Sequence, residues 1–295
     1  MNLVIGATGQ LGGEIVRLMR AMDMPVRAMV RETSDLAKVD QLRQLGVDLV
    51  YGDLKDRLSL DASCEGIKTV ISTATAMRTR QAGDSIWSVD RDGHLKLIDA
   101  AKGANVKHMT YISLQTHPET ECPLTIAKHA IDYRLQTSGL GYTIIRPGYF
   151  MESWLNPTTS SKGDNGWLRI YGDGTRPISW VSYKDLPRLI VATLDNPDVH
   201  KAILPIAAPE VVSPREIVRM FEGASGEHCE IEQVSVEALQ HQLEHANDSI
   251  EASYAGLMLM YAAGYQVDPT ETLRMFPMQL HPVQQYVHDY AAEHS

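Results

Sequence analysis

The segment Gly6-Ala7-Thr8-Gly9-Gln10-Leu11-Gly12 sets three glycines between the apolar run Leu3-Val4-Ile5 and a helically spaced segment that opens at Gly13. A strand, a glycine turn and a helix in that order aim backbone N–H groups and a helix N-terminus at an anion, usually a dinucleotide pyrophosphate. Gly6 allows the tight turn. Gly9 lets the backbone approach the phosphates without a Cβ in the way, and Gly12 lets the helix lie close on the sheet. Gly6, Thr8, Gly9, Gln10, Leu11 and Gly12 are therefore expected to line a cofactor.

A second apolar run ends Val30-Arg31-Glu32. An acidic residue at this place binds ribose hydroxyls and selects NAD, whereas a guanidinium grips a 2′-phosphate in two-pronged fashion. Arg31, reinforced by Lys38 on the next helix, predicts NADP(H) over NAD(H). Glu32 would serve a ribose instead if the strand ran one residue further. Asp53 and Leu54 follow the third run and are expected at the adenine edge, and the small Thr73 and Ala74 follow the fourth and leave room for the cofactor.

Past the fifth run, Gln115 and His117 share one loop and could line a cleft for substrate. A histidine titrates near neutral pH and can donate a proton, although a loop histidine before a proline is more often structural. Tyr149, Phe150, Trp154 and Trp180 supply aromatic surface. It suits a planar apolar substrate such as a quinone or aryl ether, or else plain core packing.

The elements that must position these residues alternate along the chain. Apolar runs at 2–5, 26–30, 48–51, 69–72, 108–112 and 142–145 are separated by amphipathic segments such as 36–45, 84–103 and 125–137. This predicts βαβ units and an α/β fold, a Rossmann-type doubly wound parallel sheet whose ligands sit beyond the carboxyl ends of the strands. Past residue 150 the pattern changes. Residues 156–174 are rich in Ser, Thr, Asn, Gly and Pro and read as a long loop. Ser213-Pro214-Arg215-Glu216 is a helix start with cap, first-position proline and returning glutamate. The expected division is a dinucleotide-binding domain over 1–155, with one more strand near 200–207, and a smaller, mostly helical substrate-side region over 156–295, interleaved with the first. Its dense Met and Tyr, including Tyr254, Met258, Met260, Tyr261 and Tyr265, read as core, as an oligomer contact, or as an adaptable apolar wall over substrate.

Composition bounds the partners. The 295 residues are 44% hydrophobic and 22% charged, which is ordinary for a globular protein, and the formal charge of −10 with no Lys/Arg run argues against a nucleic-acid surface. Cys64, Cys122 and Cys229 are far apart and form no Cys-x-x-Cys pair, so a reducing compartment and no metal site are expected. His241 and His245 stand four apart and read as a solvated helix face. The apolar stretch 255–264 is too short to span a bilayer. A cytoplasmic protein without signal peptide or membrane span is expected, with a small-molecule substrate and a homodimer left open.

Together, Gly6-Ala7-Thr8-Gly9-x-x-Gly12, Val30-Arg31-Glu32, Gly52-Asp53-Leu54 and Tyr142-Thr143-Ile144-Ile145-Arg146-Pro147-Gly148 resemble the NmrA-like branch of the atypical short-chain dehydrogenases/reductases. That branch includes isoflavone and phenylcoumaran benzylic ether reductases, NADPH quinone reductases, redox-sensing regulators and photosystem assembly factors. The resemblance spans roughly residues 1–210. It implies an NADPH-dependent oxidoreductase passing hydride to a planar apolar compound or, alternatively, a non-catalytic NADP(H)-binding sensor or assembly factor. The superfamily's Tyr-x-x-x-Lys pair maps onto Leu124 and Lys128, so the tyrosine is absent. Similarity to the plant ether reductases implies that Lys128 either acts as general acid/base or only holds the nicotinamide ribose. Ser113 matches the active-site serine of the superfamily.

Overall fold

A computed structural model describes residues 1–78, 81–115, 120–155, 168–194, 196–226 and 228–293. The chain divides into two interleaved units. The first comprises Met1–Ser113, Pro123–Ile145 and Leu186–Leu204, and the second Leu114–Cys122, Arg146–Asp185 and Pro205–Ser295.

The first unit is a run of βα repeats: β1 (Asn2–Ile5), α1 (Gln10–Ala21), β2 (Val26–Val30), α2 (Leu36–Gln44), β3 (Asp48–Tyr51), α3 (Arg57–Cys64) and β4 (Thr69–Ser72), then α4 (Asp92–Gly103), β5 (His108–Ile112), α5 (Pro123–Thr137) and β6 (Gly141–Pro147). β1 to β6 pair in parallel, and the sheet runs in the order Lys201–Ile206, β6, β5, β4, β1, β2, β3. The chain reverses direction across the sheet between β1 and β4, which makes the carboxyl ends of those strands the switch point of a doubly wound fold. β1, β4 and β5 are buried at every position, as expected of central strands covered on both faces by helices. The α/β class and the parallel sheet follow the sequence-based expectation.

The amphipathic segment expected over 84–103 is two elements. A π-helical turn spans Ile86–Arg91, capped reciprocally by Ser85 and Ser88, and α4 continues from Asp92. Its buried stripe reads Ile86, Val89, Asp90, Gly93, His94, Leu97, Ile98. Two polar residues thus fall on an apolar face.

The second unit holds a three-stranded sheet of Val211–Val212, Ile178–Val181 and Tyr149–Phe150, and a parallel pair of Leu168–Tyr171 with Ile231–Val234. Leu168–Tyr171 corrects the long loop expected over 156–174: Leu168 and Ile170 alternate inward, a two-residue period sustained over only four residues and so too short to stand out among polar neighbours. The 156–167 portion of that expectation lies outside the described residues. Ser213 caps the helix Pro214–Ser225 as its sequence predicts, with Glu216 returning to the cap. Met260, Tyr261 and Tyr265 are core residues of this unit. Among the described residues, no helix is long and apolar enough to cross a membrane and no cluster of His, Cys, Asp or Glu could hold a metal ion.

Candidate active site

The glycine turn lies at the carboxyl end of β1. Gly6 has φ of +86°, and a Cβ there would stand 2.9 Å from the Ala74 amide nitrogen and 2.7 Å from Thr73 Oγ1. A Cβ on Gly12 would collide with the Gly6 carbonyl oxygen. Both glycines are thus required by close backbone approach, and the turn is pressed against the segment after β4. Thr73 reinforces this contact, its amide donating to the Ile5 carbonyl at 3.0 Å. Gly9 is the N-cap of α1, and among the described residues no side chain caps that helix. The first-turn amides of α1 therefore remain available to an anion, together with the positive end of the helix dipole.

Arg31 follows β2 directly and has a partner the sequence did not suggest. Its Nη1 donates to Asp84 Oδ2 at 2.9 Å, and Lys55 Nζ donates to Asp84 Oδ1 at 2.6 Å. Asp84 is almost fully buried, whereas the two cations keep about a quarter of their side-chain surface in solvent. Burial works to raise the Asp84 carboxyl, but hydrogen bonds from Lys55 and Arg31 outweigh it and hold the group below the usual carboxylate range. Lys55 thus shares an acid with Arg31, while Lys38 is exposed on α2. Asp53 accepts from the Lys55 amide at 2.8 Å, which fixes the turn after β3, and Leu54 is buried under Gly93 of α4.

The third cluster surrounds Lys128 on α5. Its Nζ donates to the Ile112 carbonyl at 2.8 Å, lies 4.0 Å from Asp90 Oδ1, and stands 4.6 Å from the centre of the Tyr111 ring. Lys128 and Asp90 are both buried. Burial works on each toward its neutral form, raising Asp90 and lowering Lys128. Their mutual attraction opposes it, with Asp132 also favouring the ammonium. Asp90 Oδ2 accepts from the Ala76 amide at 2.9 Å.

His94 completes the cluster. Its Nδ1 lies 3.0 Å from the Val89 carbonyl and its Nε2 2.8 Å from Ser72 Oγ. A carbonyl only accepts, so Nδ1 carries the hydrogen and Nε2 accepts from the serine. Burial, with the Lys128 charge adding to it, pushes the imidazole down to about 3. Ser113 lies one residue past β5 with its amide donating to the Ile145 carbonyl at 2.8 Å, and its buried Oγ has no hydrogen-bond partner among the described residues. A buried, unpartnered hydroxyl beside the carbonyl that holds Lys128 is a group able to receive a ligand oxygen.

The remaining expected site residues belong to the second unit. Trp180 is fully buried and its indole donates to the Val212 carbonyl at 2.9 Å; Tyr149 is buried and donates to the Leu257 carbonyl at 2.7 Å. Both are core groups of that unit, packed with Tyr261. Phe150 stacks on Tyr183 at 4.3 Å, and Trp154 stacks on Tyr261 at 5.8 Å; both are half-buried. The Gln115 amide donates to the Tyr265 hydroxyl at 2.7 Å. His117 lies outside the described residues.

Sequence reasoning missed Asp84, Lys55, Asp90, His94 and Tyr111. A signal existed for Asp90 and His94, which stand on the apolar stripe of their helix, where a polar residue must be partnered.

A model of the NmrA-like family matches residues 2–286. An NAD(P)H azoreductase of Xenophilus azovorans is 27% identical over 90% of each chain. A photosystem II assembly factor, Ycf39 of Cyanophora paradoxa, is 29% identical over 81% of this chain and 73% of its own. The solved structure of an NADPH-dependent quinone oxidoreductase from Escherichia coli, complexed with NADPH, superposes with a TM-score of 0.77 over 98% of this chain and 99% of that one, at 19% identity.

Proposed function

The chain belongs to the NmrA-like family, and from that premise and the geometry of its first unit we propose that it is an NADPH-dependent reductase. Its substrate would be a planar, weakly polar organic compound such as a quinone or aryl compound. The observation that carries this reading is the buried Lys128, held at the end of β5 beside the unpartnered Ser113 hydroxyl. Similarity to a named azoreductase and a named quinone oxidoreductase supports it.

The residues present fit a dinucleotide. The uncapped start of α1, with Gly6, Thr8, Gly9, Gln10, Leu11 and Gly12, would hold the pyrophosphate, since only glycine fits at Gly6 and Gly12. Arg31 would hold the 2′-phosphate, with Lys55 beside it and Lys38 on the neighbouring helix. Asp53 and Leu54 would border the adenine, and Thr73 and Ala74 the middle of the cofactor. When bound, the cofactor supplies the hydride.

Lys128 then holds the proton that the reduced product needs. An amine serves as an acid near neutral pH only when its pKa is lowered, and burial works in that direction here. Ser113 Oγ orients the substrate oxygen or nitrogen. Gln115, His117, Phe150 and Trp154 are proposed to face substrate; the reading does not rest on Trp180 or Tyr149. The protein is proposed to act in the cytoplasm, with a small molecule and no nucleic acid as its partner and a homodimer left open.

The test is NADPH consumption across a panel of quinones and azo and aryl compounds, with Lys128→Ala as the control. Turnover lost in that variant while cofactor titration stays unchanged supports catalysis by Lys128. The second reading, an NADP(H)-binding assembly factor, is favoured by buried Leu124 at the place of the missing tyrosine and by the likeness to an assembly factor. Tight cofactor binding with no turnover on any acceptor would select it.

A further inference from the structure

Asp90 has no exposed surface, and the function proposed above gives it no task. One carboxylate oxygen accepts from the Ala76 amide at 2.9 Å; the other, Oδ1, has no hydrogen-bond partner among the described residues and faces Lys128 Nζ at 4.0 Å, and the nearby Thr75 hydroxyl also favours the charged carboxylate. A buried carboxylate oxygen without a donor is costly unless a nearby charge offsets it. Lys128 is that charge.

The groups that face Lys128 come from every side. The π-helical turn contributes Asp90, α4 contributes His94, β5 contributes the Tyr111 ring, and α5 itself contributes Asp132. Asp84 adds its charge at Asp90. His94 is held neutral with both ring nitrogens engaged, and Tyr111 offers only the face of its ring. Negative charge at the ammonium therefore comes from Asp90 and Asp132. Of these, Asp90 is also tied to the segment after β4, the same segment that Gly6 packs against through Thr73 and Ala74.

We propose that Asp90 is a positioning residue whose carboxylate keeps the Lys128 side chain charged and turned to the Ile112 carbonyl, so that the proton-holding unit of the site is the Asp90–Lys128 pair rather than the lysine alone. The inference rests on reading Lys128 as the proton donor. It adds that the pair is anchored, through Ala76, to the backbone that borders the glycine turn.

Asp90→Asn keeps an oxygen for the Ala76 amide and removes the charge. In protein carrying isotope-labelled lysine, the ε-carbon resonance of Lys128 is followed against pH, which requires no substrate. The midpoint falls by roughly 1 unit or more in the variant; an unchanged midpoint overturns the proposal. In turnover, the alkaline limb of kcat moves to lower pH by the same amount, with KM for NADPH little changed. A uniform fall at every pH, with no movement of the limb, is the structural outcome and also overturns it. Asp99→Asn, at the exposed pair with Arg134, leaves both readouts in place.

If Asp90→Asn alone does not fold, Lys128→Met is added. Recovery of folding shows the coupling, and continued failure overturns it. Where both single variants fold, their losses in Tm combine to less than their sum in the double variant. A shifted resonance with no turnover on any acceptor keeps this proposal and defeats the reductase reading.

Discussion

At the ends of β2 and β3, one carboxylate, Asp84, is shared by two cations that remain partly in solvent. Beside β5 and α5, one buried cation, Lys128, faces the carboxylates of Asp90 and Asp132. The first cluster places two cations within reach of water, which suits reception of an anion arriving from solution. The second sets its cation beside carboxylates in a dry place, which favours keeping a proton on a group that burial would otherwise strip. Lysine and aspartate serve opposite ends in the two clusters because their access to water differs.

Lys128→Ala is the sharpest break of this comparison. Turnover should fall by ~10²–10⁴-fold, the usual contribution of a positioned acid or base, while NADPH affinity measured by fluorescence titration changes little. Equal losses in both would make Lys128 a cofactor-holding residue only.

Arg31→Ala tests the other cluster. NADPH affinity should fall by roughly 10- to 100-fold, the value of one or two charge-assisted hydrogen bonds, with NADH affinity unchanged. An equal loss for both cofactors would remove the 2′-phosphate from the first cluster.

Asp84→Asn should cost about 1–3 kcal/mol of stability at pH 7, because two cations lose their shared acceptor. Its folded pKa lies below the ordinary carboxylate value, so its contribution is present at neutral pH and is lost as pH falls through that depressed value. The gap in Tm between wild type and variant should therefore close in acid, below the usual carboxylate range. A gap that persists there would mean the loss is one of packing rather than charge.

His94→Gln gives the smallest effect. His94 has a folded value of about 3 against 6.5 for the free group, so its stabilisation is complete above pH 6.5 and is lost progressively as pH falls toward 3. His108, held down to about 4, adds a slope of the same sign. In His94→Gln the fall of Tm between pH 6.5 and 4 should be shallower than in wild type. An identical slope would show that His94 takes up its proton without unfolding.

Much of the first cluster was legible in the sequence, and little of its pairing was. Gly6, Gly9 and Gly12 could be placed because a strand, a turn and a helix are neighbours in the chain and each announces itself by a local period. Arg31 was found because a strand end is a local feature. Its partner Asp84 stands 53 residues away on an irregular segment, and nothing local connects the two. The second unit shows the same limit: Trp180 and Tyr149 read as candidate substrate contacts, but aromatic residues carry no mark that separates a core from a wall, and both lie in the core.

The sequence by itself determined the βαβ order, the parallel sheet, the glycine turn and the placing of Arg31 and Lys128 at strand and helix positions. Each of these follows from backbone stereochemistry and hydrophobic periodicity acting over a few residues. Only the tertiary structure decided that Asp84 joins Arg31 to Lys55 and that Asp90, far from Lys128 in the chain, joins Asp132 in facing its ammonium. Those pairings depend on how the sheet order β4, β1, β2 and the π-helical turn bring distant segments within a few ångströms, and Coulomb interactions of that kind are set by distance and burial rather than by sequence separation.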